Sequence, residues 1–199
     1  MSDVLTIQKS NLSMISRIKA FDRMPYSLPP TFTICVRQID ADTYQLSTSQ
    51  MLPVPPKQAF TFFEDPRNLF DITPDWLQFV MKDREMKTKV FEGAEFDYTI
   101  QWYGVTMEWK SRIIGYKPPE RFVDVQLVGP YRYWEHLHAF DDVTEGTRMR
   151  DIVTYKLPFG MIGRMIHALV VRRQLNDIFN YRAVRINEWT KNELRKKVK

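Results

Sequence analysis

The apolar periodicity of this chain changes once, at Pro158-Phe159-Gly160, and that change constrains the fold more than any other feature. Before it, from 79 to 157, side-chain character alternates with period two, the mark of strands with two unlike faces. After it, Ile162, Met165, Ile166, Leu169, Val170, Leu175, Ile178 and Phe179 recur at three and four with no proline among them. That spacing predicts a helix of about 30 residues with one apolar stripe. Short breaks at Tyr103-Gly104, Lys117-Pro118-Pro119-Glu120 and Gly129-Pro130 divide the strand region. The expected strands are 79–84, 93–102, 105–116, 121–128, 132–140 and 147–157. Strands joined by such short links form an antiparallel meander.

Upstream, 44–52 alternates as a first clear strand, and 31–39 suits another short one. Pro56 fits the first turn of a helix through Glu64 that buries Ala59, Phe60 and Phe63. Pro66 opens a second short helix, and 71–76 reads as a loop or a frayed turn. The class is α+β: an antiparallel sheet of about seven strands, two short helices after the first strand, and one long C-terminal helix. The sheet must cover its apolar face, and only the terminal helix is long enough to do so. A cavity is expected between them. Residues 43–190 form the expected domain, with 1–42 an extension and 191–199 a basic tail.

Composition narrows the function classes. Apolar residues make up 44% of the 199, enough for a substantial core. The single cysteine, Cys35, excludes an internal disulfide framework and multi-cysteine zinc motifs, and is expected to be a small buried residue. No apolar run approaches the ~20 residues of a membrane span. Residues 4–24 carry apolar side chains at helical spacing among Lys9, Arg17, Lys19 and Arg23, which suits a surface-packed helix better than a targeting presequence. A cytoplasmic location is expected. The net charge of +5 is uneven. From Gly160 onward ten Lys and Arg face three acids, on a slightly acidic body. A solvated helix face is the plain reading, and peripheral contact with an anionic membrane is next. Nucleic acid is not expected, because no exposed aromatics are interleaved with the basic residues.

The chemistry concentrates in Trp134-Glu135-His136-Leu137-His138-Ala139-Phe140 and in Gly146-Thr147-Arg148-Met149-Arg150-Asp151-Ile152-Val153-Thr154-Tyr155. Alternation puts Trp134, His136, His138 and Phe140 on one face, and Met149, Asp151, Val153 and Tyr155 on one face of the next strand. The turn is expected over 141–146. Two of the three histidines then meet a carboxylate on an aromatic surface. The favoured reading is a hydrogen-bonded polar patch, structural or ligand-recognising, since buried His and Asp need partners. A metal site of two His and one carboxylate, and general acid–base work by a His beside an Asp, are the sharper readings. Neither a metal nor a cofactor is assigned, because no further ligand has diagnostic spacing and no cofactor fingerprint is present. Phe96, Tyr98, Trp102, Met107 and Trp109 alternate on the central strands as core or pocket wall, and Ser111 reads as a small inner-face residue. In 121–128, periodicity sends Val123, Val125 and Leu127 inward and Asp124 and Gln126 outward; a bulge near Gly129-Pro130 would reset this, and the side of the polar pair stays open.

The run from Arg121 to Phe140, with Gly146-Thr147, Asp151, Tyr155, Pro158-Phe159-Gly160 and the earlier Val54-Pro55-Pro56-Lys57-Gln58-Ala59-Phe60, resembles the START-like, birch-pollen-allergen-like superfamily. This superfamily, also called SRPBCC, includes polyketide cyclase/dehydrase-type and lipid-transfer-type proteins. The resemblance covers about 44–189 and implies a helix-grip fold, a curved sheet wrapped around the terminal helix. It implies a cavity but not a shared chemistry. The expected function is non-catalytic binding of a hydrophobic or amphipathic small molecule: a lipid, isoprenoid or polyketide. Tyr98, Trp102, Met107, Trp109, Trp134, Phe140 and Tyr155 are the expected walls, with His136, His138 and Asp151 orienting a polar head. The alternatives are a cyclase or dehydratase using His136 or His138 as base aligned by Asp151, and a membrane-docking or protein-partner module using the basic helix.

Overall fold

The computed structural model describes residues 27–82, 89–102, 104–158 and 160–197. The helix expected over 4–24 and part of the strand expected over 79–84 lie outside the described residues. An eight-stranded antiparallel sheet carries the fold, one strand more than expected. Its strands are β1 (Thr33–Asp40), β2 (Thr43–Leu52), β3 (Val80–Met81), β4 (Glu95–Trp102), β5 (Val105–Lys117), β6 (Arg121–Val128), β7 (Tyr133–Val143) and β8 (Gly146–Lys156). The order β1-β2-β8-β7-β6-β5-β4-β3 is a meander from β3 to β8, completed by β2 against β8. The added strand is β1, from the region set apart as an extension, and it pairs with β2 along the sheet edge. Its Cys35 is exposed rather than buried, because Ile34 and Val36 take the side that packs on the core.

Helix α1 (Pro56–Glu64) opens on Pro56, and its buried face is Ala59, Phe60, Phe62 and Phe63. Phe60 meets Phe122 and Phe140 edge-on, with centroids at 5.8 and 5.5 Å, so α1 closes one end of the sheet. Two 3-10 turns follow, Pro66–Leu69 and Asp75–Leu77. The stretch 71–76, expected as a loop or a frayed turn, holds part of the second. Asp65 caps the first by accepting from the Arg67 amide at 3.0 Å.

The hairpin between β7 and β8 is tighter than expected. Both strands run on until Val143 faces Gly146, leaving only Thr144 and Glu145 as loop. The acidic run at 141–142 looked like turn chemistry, but it lies on the ladder, where Asp141 accepts two hydrogen bonds from Arg150 at 2.7 and 2.9 Å. Beside this hairpin, the Thr147 hydroxyl donates to the Val54 carbonyl at 2.7 Å and ties β8 to the corner between β2 and α1.

The long helical region comes in three parts: α2 (Gly160–Ile166), a π turn (His167–Val171) and α3 (Arg172–Lys197). The π turn changes which residues face inward. Gly163, His167, Val171, Leu175 and Phe179 are buried at a constant spacing of four. An unbroken α-helix would rotate that row off the sheet. The expected single stripe consequently splits: Leu175 and Phe179 are core, whereas Ile162, Met165 and Leu169 are exposed. The Gln50 side chain donates to the Ala183 carbonyl at 3.1 Å and pins α3 across the concave face. No helix among the described residues is long and apolar enough to cross a membrane.

His167 fixes the junction of α2 and α3. Its ring stacks on Tyr44 at 3.5 Å between centroids, and its Nε2 shares a hydrogen bond with the Tyr155 hydroxyl at 2.9 Å. Burial, aided by Arg172, pushes its pKa down to about 4. A base whose pKa is lower folded than unfolded gives stability that is complete above the unfolded value, ~6.5, and is lost as pH falls toward 4. Amide exchange across 160–171 is therefore expected to accelerate between pH 6.5 and 4 relative to the central strands, and His167→Phe to remove that pH dependence.

A second prediction concerns Gly146. With φ at +127°, any Cβ there would sit 2.4 Å from the Leu52 carbonyl oxygen. Gly146→Ala is expected to cost about 2–4 kcal/mol in urea unfolding.

Candidate functional site

Strand register builds the site. Asp124 on β6 lies directly opposite His136 on β7. His138, one pleat along, lies opposite Asp151 on β8, which lies opposite Thr48 on β2. Because β-strand side chains repeat every two residues, all five project to the concave face. Two acids and two imidazoles thereby alternate around a small ring. His136 Nε2 is 2.9 Å from Asp151 Oδ1, and the Thr48 hydroxyl donates to Asp151 Oδ2 at 3.2 Å. Asp124 Oδ2 is 3.5 Å from both His136 Nδ1 and His138 Nε2. His138 Nδ1 is 3.1 Å from Asp151 Oδ1, but off the line a ring N–H would take, so the contact is electrostatic and makes no hydrogen bond.

Apolar surroundings raise the energy of every charge in this ring. His136, His138 and Asp151 are buried and Asp124 nearly so. Burial works against ionising Asp124 and Asp151, yet the two imidazoles outweigh it and hold both carboxyls below the usual range. Burial likewise opposes charging His136, and the facing Asp124 and Asp151 carboxylates outweigh it, raising its pKa. The ring lies at the seam between two apolar clusters. His138 stacks on Phe122 at 4.4 Å between centroids, and His136 meets Phe179 edge-on at 5.6 Å.

A cavity of about 410 Å³ opens in front of this ring, between the sheet and α3. Of the residues expected at the site, Tyr98, Met107, Trp109, Trp134, His136 and His138 line it. Three stand behind that wall. Phe140 packs among Phe60, Phe63 and Phe122, and Asp151 braces the histidines. Tyr155 stacks on Tyr44 and bonds to His167. The side chain of Trp102 lies outside the described residues. Buried Ser111 lines the cavity, as its inner-face position suggested.

The side of the polar pair on β6, open in the sequence, is settled by strand pairing. Asp124 faces inward with Phe122, while Val123 and Val125 are half-buried on the other side. Pairing with His136 outweighs the preference of valine for the core. Gln126 shares the side of Asp124, paired with Ser111 of β5 just before the register shift at Leu127, and its side chain hydrogen-bonds with the Tyr131 backbone. Arg182 was missed altogether. It lines the cavity with its guanidinium 4.9 Å from the Phe179 ring centroid, and neither Nε nor Nη1 has a hydrogen-bonding partner in the protein. Trp109 Nε1 is likewise buried without one. The signal for Arg182 was available, since it follows Leu175 and Phe179 at seven and three on the inward row.

The geometry fits a protein group that holds small molecules. The sequence profile of the family described as "Polyketide cyclase / dehydrase and lipid transport" matches residues 52–179. No curated protein matches the sequence. Among solved structures, protein NE0264 of Nitrosomonas europaea is 18% identical with a TM-score of 0.54, over 79% of this chain and 99% of that one. Protein Ms6760 of Mycobacterium smegmatis is 15% identical with a TM-score of 0.53, over 76% and 96%. The di-domain ARO/CYC StfQ of the steffimycin biosynthetic pathway is 12% identical with a TM-score of 0.52, over 72% of this chain and 51% of StfQ. At such identities the structural likeness establishes the helix-grip fold alone, whereas the profile match spans well over half of the residues: the chain belongs to the polyketide cyclase/dehydrase and lipid-transport family.

Proposed function

We propose that this protein binds an amphipathic small molecule non-covalently, with an apolar body in the cavity and an oxygen-bearing head near the Asp124–His136–His138–Asp151 ring. One observation carries the reading: apolar walls enclose about 410 Å³, and the lining residues Trp109 and Arg182 keep buried donors that the protein leaves unmatched. Cavities of this volume hold drug-sized ligands. Unmatched donors in a greasy cavity select ligands with acceptor oxygens, since leaving them unpaired costs about 1–3 kcal/mol each. Lipids, isoprenoids and polyketides with a carboxylate or carbonyl head fit that demand.

Extraction of purified protein followed by mass spectrometry identifies the molecule carried. Arg182→Met is expected to weaken binding of an acid-headed ligand about 10–100-fold, the value of a charge-assisted hydrogen bond, while sparing a neutral apolar probe. Equal loss for both probes would contradict a polar head at Arg182. The family also includes cyclases and dehydratases, and the raised pKa of His136 gives the cavity a candidate acid. His138→Ala separates the two readings: turnover lost with affinity retained favours an enzyme, and affinity lost with it favours a carrier.

A surface feature supports delivery at a membrane. Met161, Ile162, Met165 and Leu169 are 72, 64, 64 and 74% exposed. They form an apolar face on α2 and the π turn, with Arg164 and Arg172 exposed among them. Gly163 and Val171 of the same segment line the cavity. The segment is thus the cavity's lid on one side and an apolar, basic surface on the other, a combination suited to the interface of an anionic bilayer. Burying one such side chain contributes about 1.5–3 kcal/mol. The double variant Met165→Glu, Leu169→Glu is expected to bind phosphatidylserine-containing vesicles at least ~10-fold more weakly, with thermal stability nearly unchanged. Added salt should weaken wild-type binding, and equal binding to neutral phosphatidylcholine vesicles would sink the electrostatic part.

A further inference from the structure

The two histidines of the ring are each gripped from behind by one carboxylate and face a second one in front. Asp151 Oδ1 meets His136 Nε2 at 2.9 Å and His138 Nδ1 at 3.1 Å. A carboxylate there draws the ring proton to the nitrogen that faces it, and so fixes which nitrogen of each ring is bare. The bare nitrogens, Nδ1 of His136 and Nε2 of His138, point the other way. They converge on Asp124 Oδ2, each at 3.5 Å. Three acceptors then share one small space beside the cavity, and all their candidate ligand atoms lie within 4.8 Å of one another.

Distance decides what that space suits. Hydrogen bonds between nitrogen and oxygen run about 2.7–3.2 Å, so 3.5 Å is too long for a well-shared proton. Donor atoms at the corners of a tetrahedron around zinc, each about 2.0–2.1 Å from the metal, stand roughly 3.4 Å apart. Both nitrogen–oxygen separations fit that spacing. The supporting groups fit as well. Metal-bound histidines characteristically give their second ring nitrogen to a carboxylate, which orients the ring and raises its basicity. Asp151 does this for His136 through a hydrogen bond at 2.9 Å and faces His138 Nδ1 at 3.1 Å as a charge contact, and Thr48 holds Asp151 in turn at 3.2 Å. All five residues stand on paired strands, the rigid support a metal site needs.

We propose that His136 Nδ1, His138 Nε2 and Asp124 Oδ2 are the three protein ligands of a mononuclear first-row divalent metal centre whose remaining positions open onto the cavity. Two imidazoles and one carboxylate suit Zn²⁺, Fe²⁺ or Co²⁺ and disfavour the hard all-oxygen cations. Asp151 is a positioning residue behind the ligands and not the third ligand. The centre goes beyond ligand carriage and does not require it, because the metal alone is the probe.

The test uses the untagged full chain, stripped with a chelator and titrated with Co²⁺ and then Zn²⁺. One equivalent of Co²⁺ is expected to give the visible absorption of a low-coordinate site, and Zn²⁺ to displace it. Asp124→Ala is expected to abolish saturable uptake, and Asp151→Asn to weaken it about 10–100-fold. Asp141→Asn, on the outer ladder, should leave it unchanged. The chain has three histidines, which gives a readout that needs no variant. Zn²⁺ should shift the imidazole resonances of His136 and His138 and leave His167 in place. No saturable uptake by the wild-type chain, retention of uptake by folded Asp124→Ala, or a shift confined to His167 would each overturn the assignment.

Discussion

The antiparallel register across β6, β7 and β8 is the constraint on which the rest depends. It sets Asp124 opposite His136 and His138 opposite Asp151, so that acid and base alternate along and across the strands. A slip of one residue in either pairing would send a whole row of side chains to the other face. Carboxylates would then face water and valines the cavity. The tight β7–β8 hairpin and the Thr147 bond to Val54 hold the register at one end, and the Tyr155–His167 bond ties β8 to the π turn toward the other.

A stable core does not need such a ring. Removing one member of a buried charge pair costs about 3–5 kcal/mol, but replacing the whole set with apolar residues of similar size is often neutral or stabilising. Trp134 and Phe140 flank the histidines on the same strand face, and the aromatic clusters on both sides provide ample apolar packing. The ring is thus an expense in stability set where the cavity begins. The same holds for Arg182, a cation kept in the cavity wall with unmatched donors and an aromatic face beneath it. Fold and site make different demands on these positions, and at these positions the site prevails.

Much of the fold was legible because period and punctuation act locally. The change at Pro158-Phe159-Gly160, the proline that starts α1 and the breaks between strands each have short-range causes. So did the shared face of Trp134, His136, His138 and Phe140, which needs only the strand period. What was not legible depends on partners distant in sequence. Which side of β6 faces inward stayed open in the strand period, and the pairing of Asp124 with His136 decides it. The acidic run at 141–142 resembled a turn until Arg150 came alongside. Leu169 and Met165 belonged to a single apolar stripe only as long as the helix was uniform, and the π turn moved them to the outside. Arg182 was set aside as one more cation in a basic segment, although its position on the inward row was written in its spacing.

That π turn links the two surfaces of the lid. It keeps Gly163, His167 and Val171 in phase with Leu175 and Phe179, closing the cavity on one side. The same change of phase turns Met161, Ile162, Met165 and Leu169 outward. A regular α-helix through this segment would bury part of the outer row and lift part of the inner one. The two rows therefore cannot change phase independently. His167 sits at the pivot, held neutral between Tyr44 and Tyr155, so the closed position carries a hydrogen bond and a stacked ring that any opening must break. On the proposed reading, the surface that would meet a membrane and the seal over the cavity are two faces of one short segment.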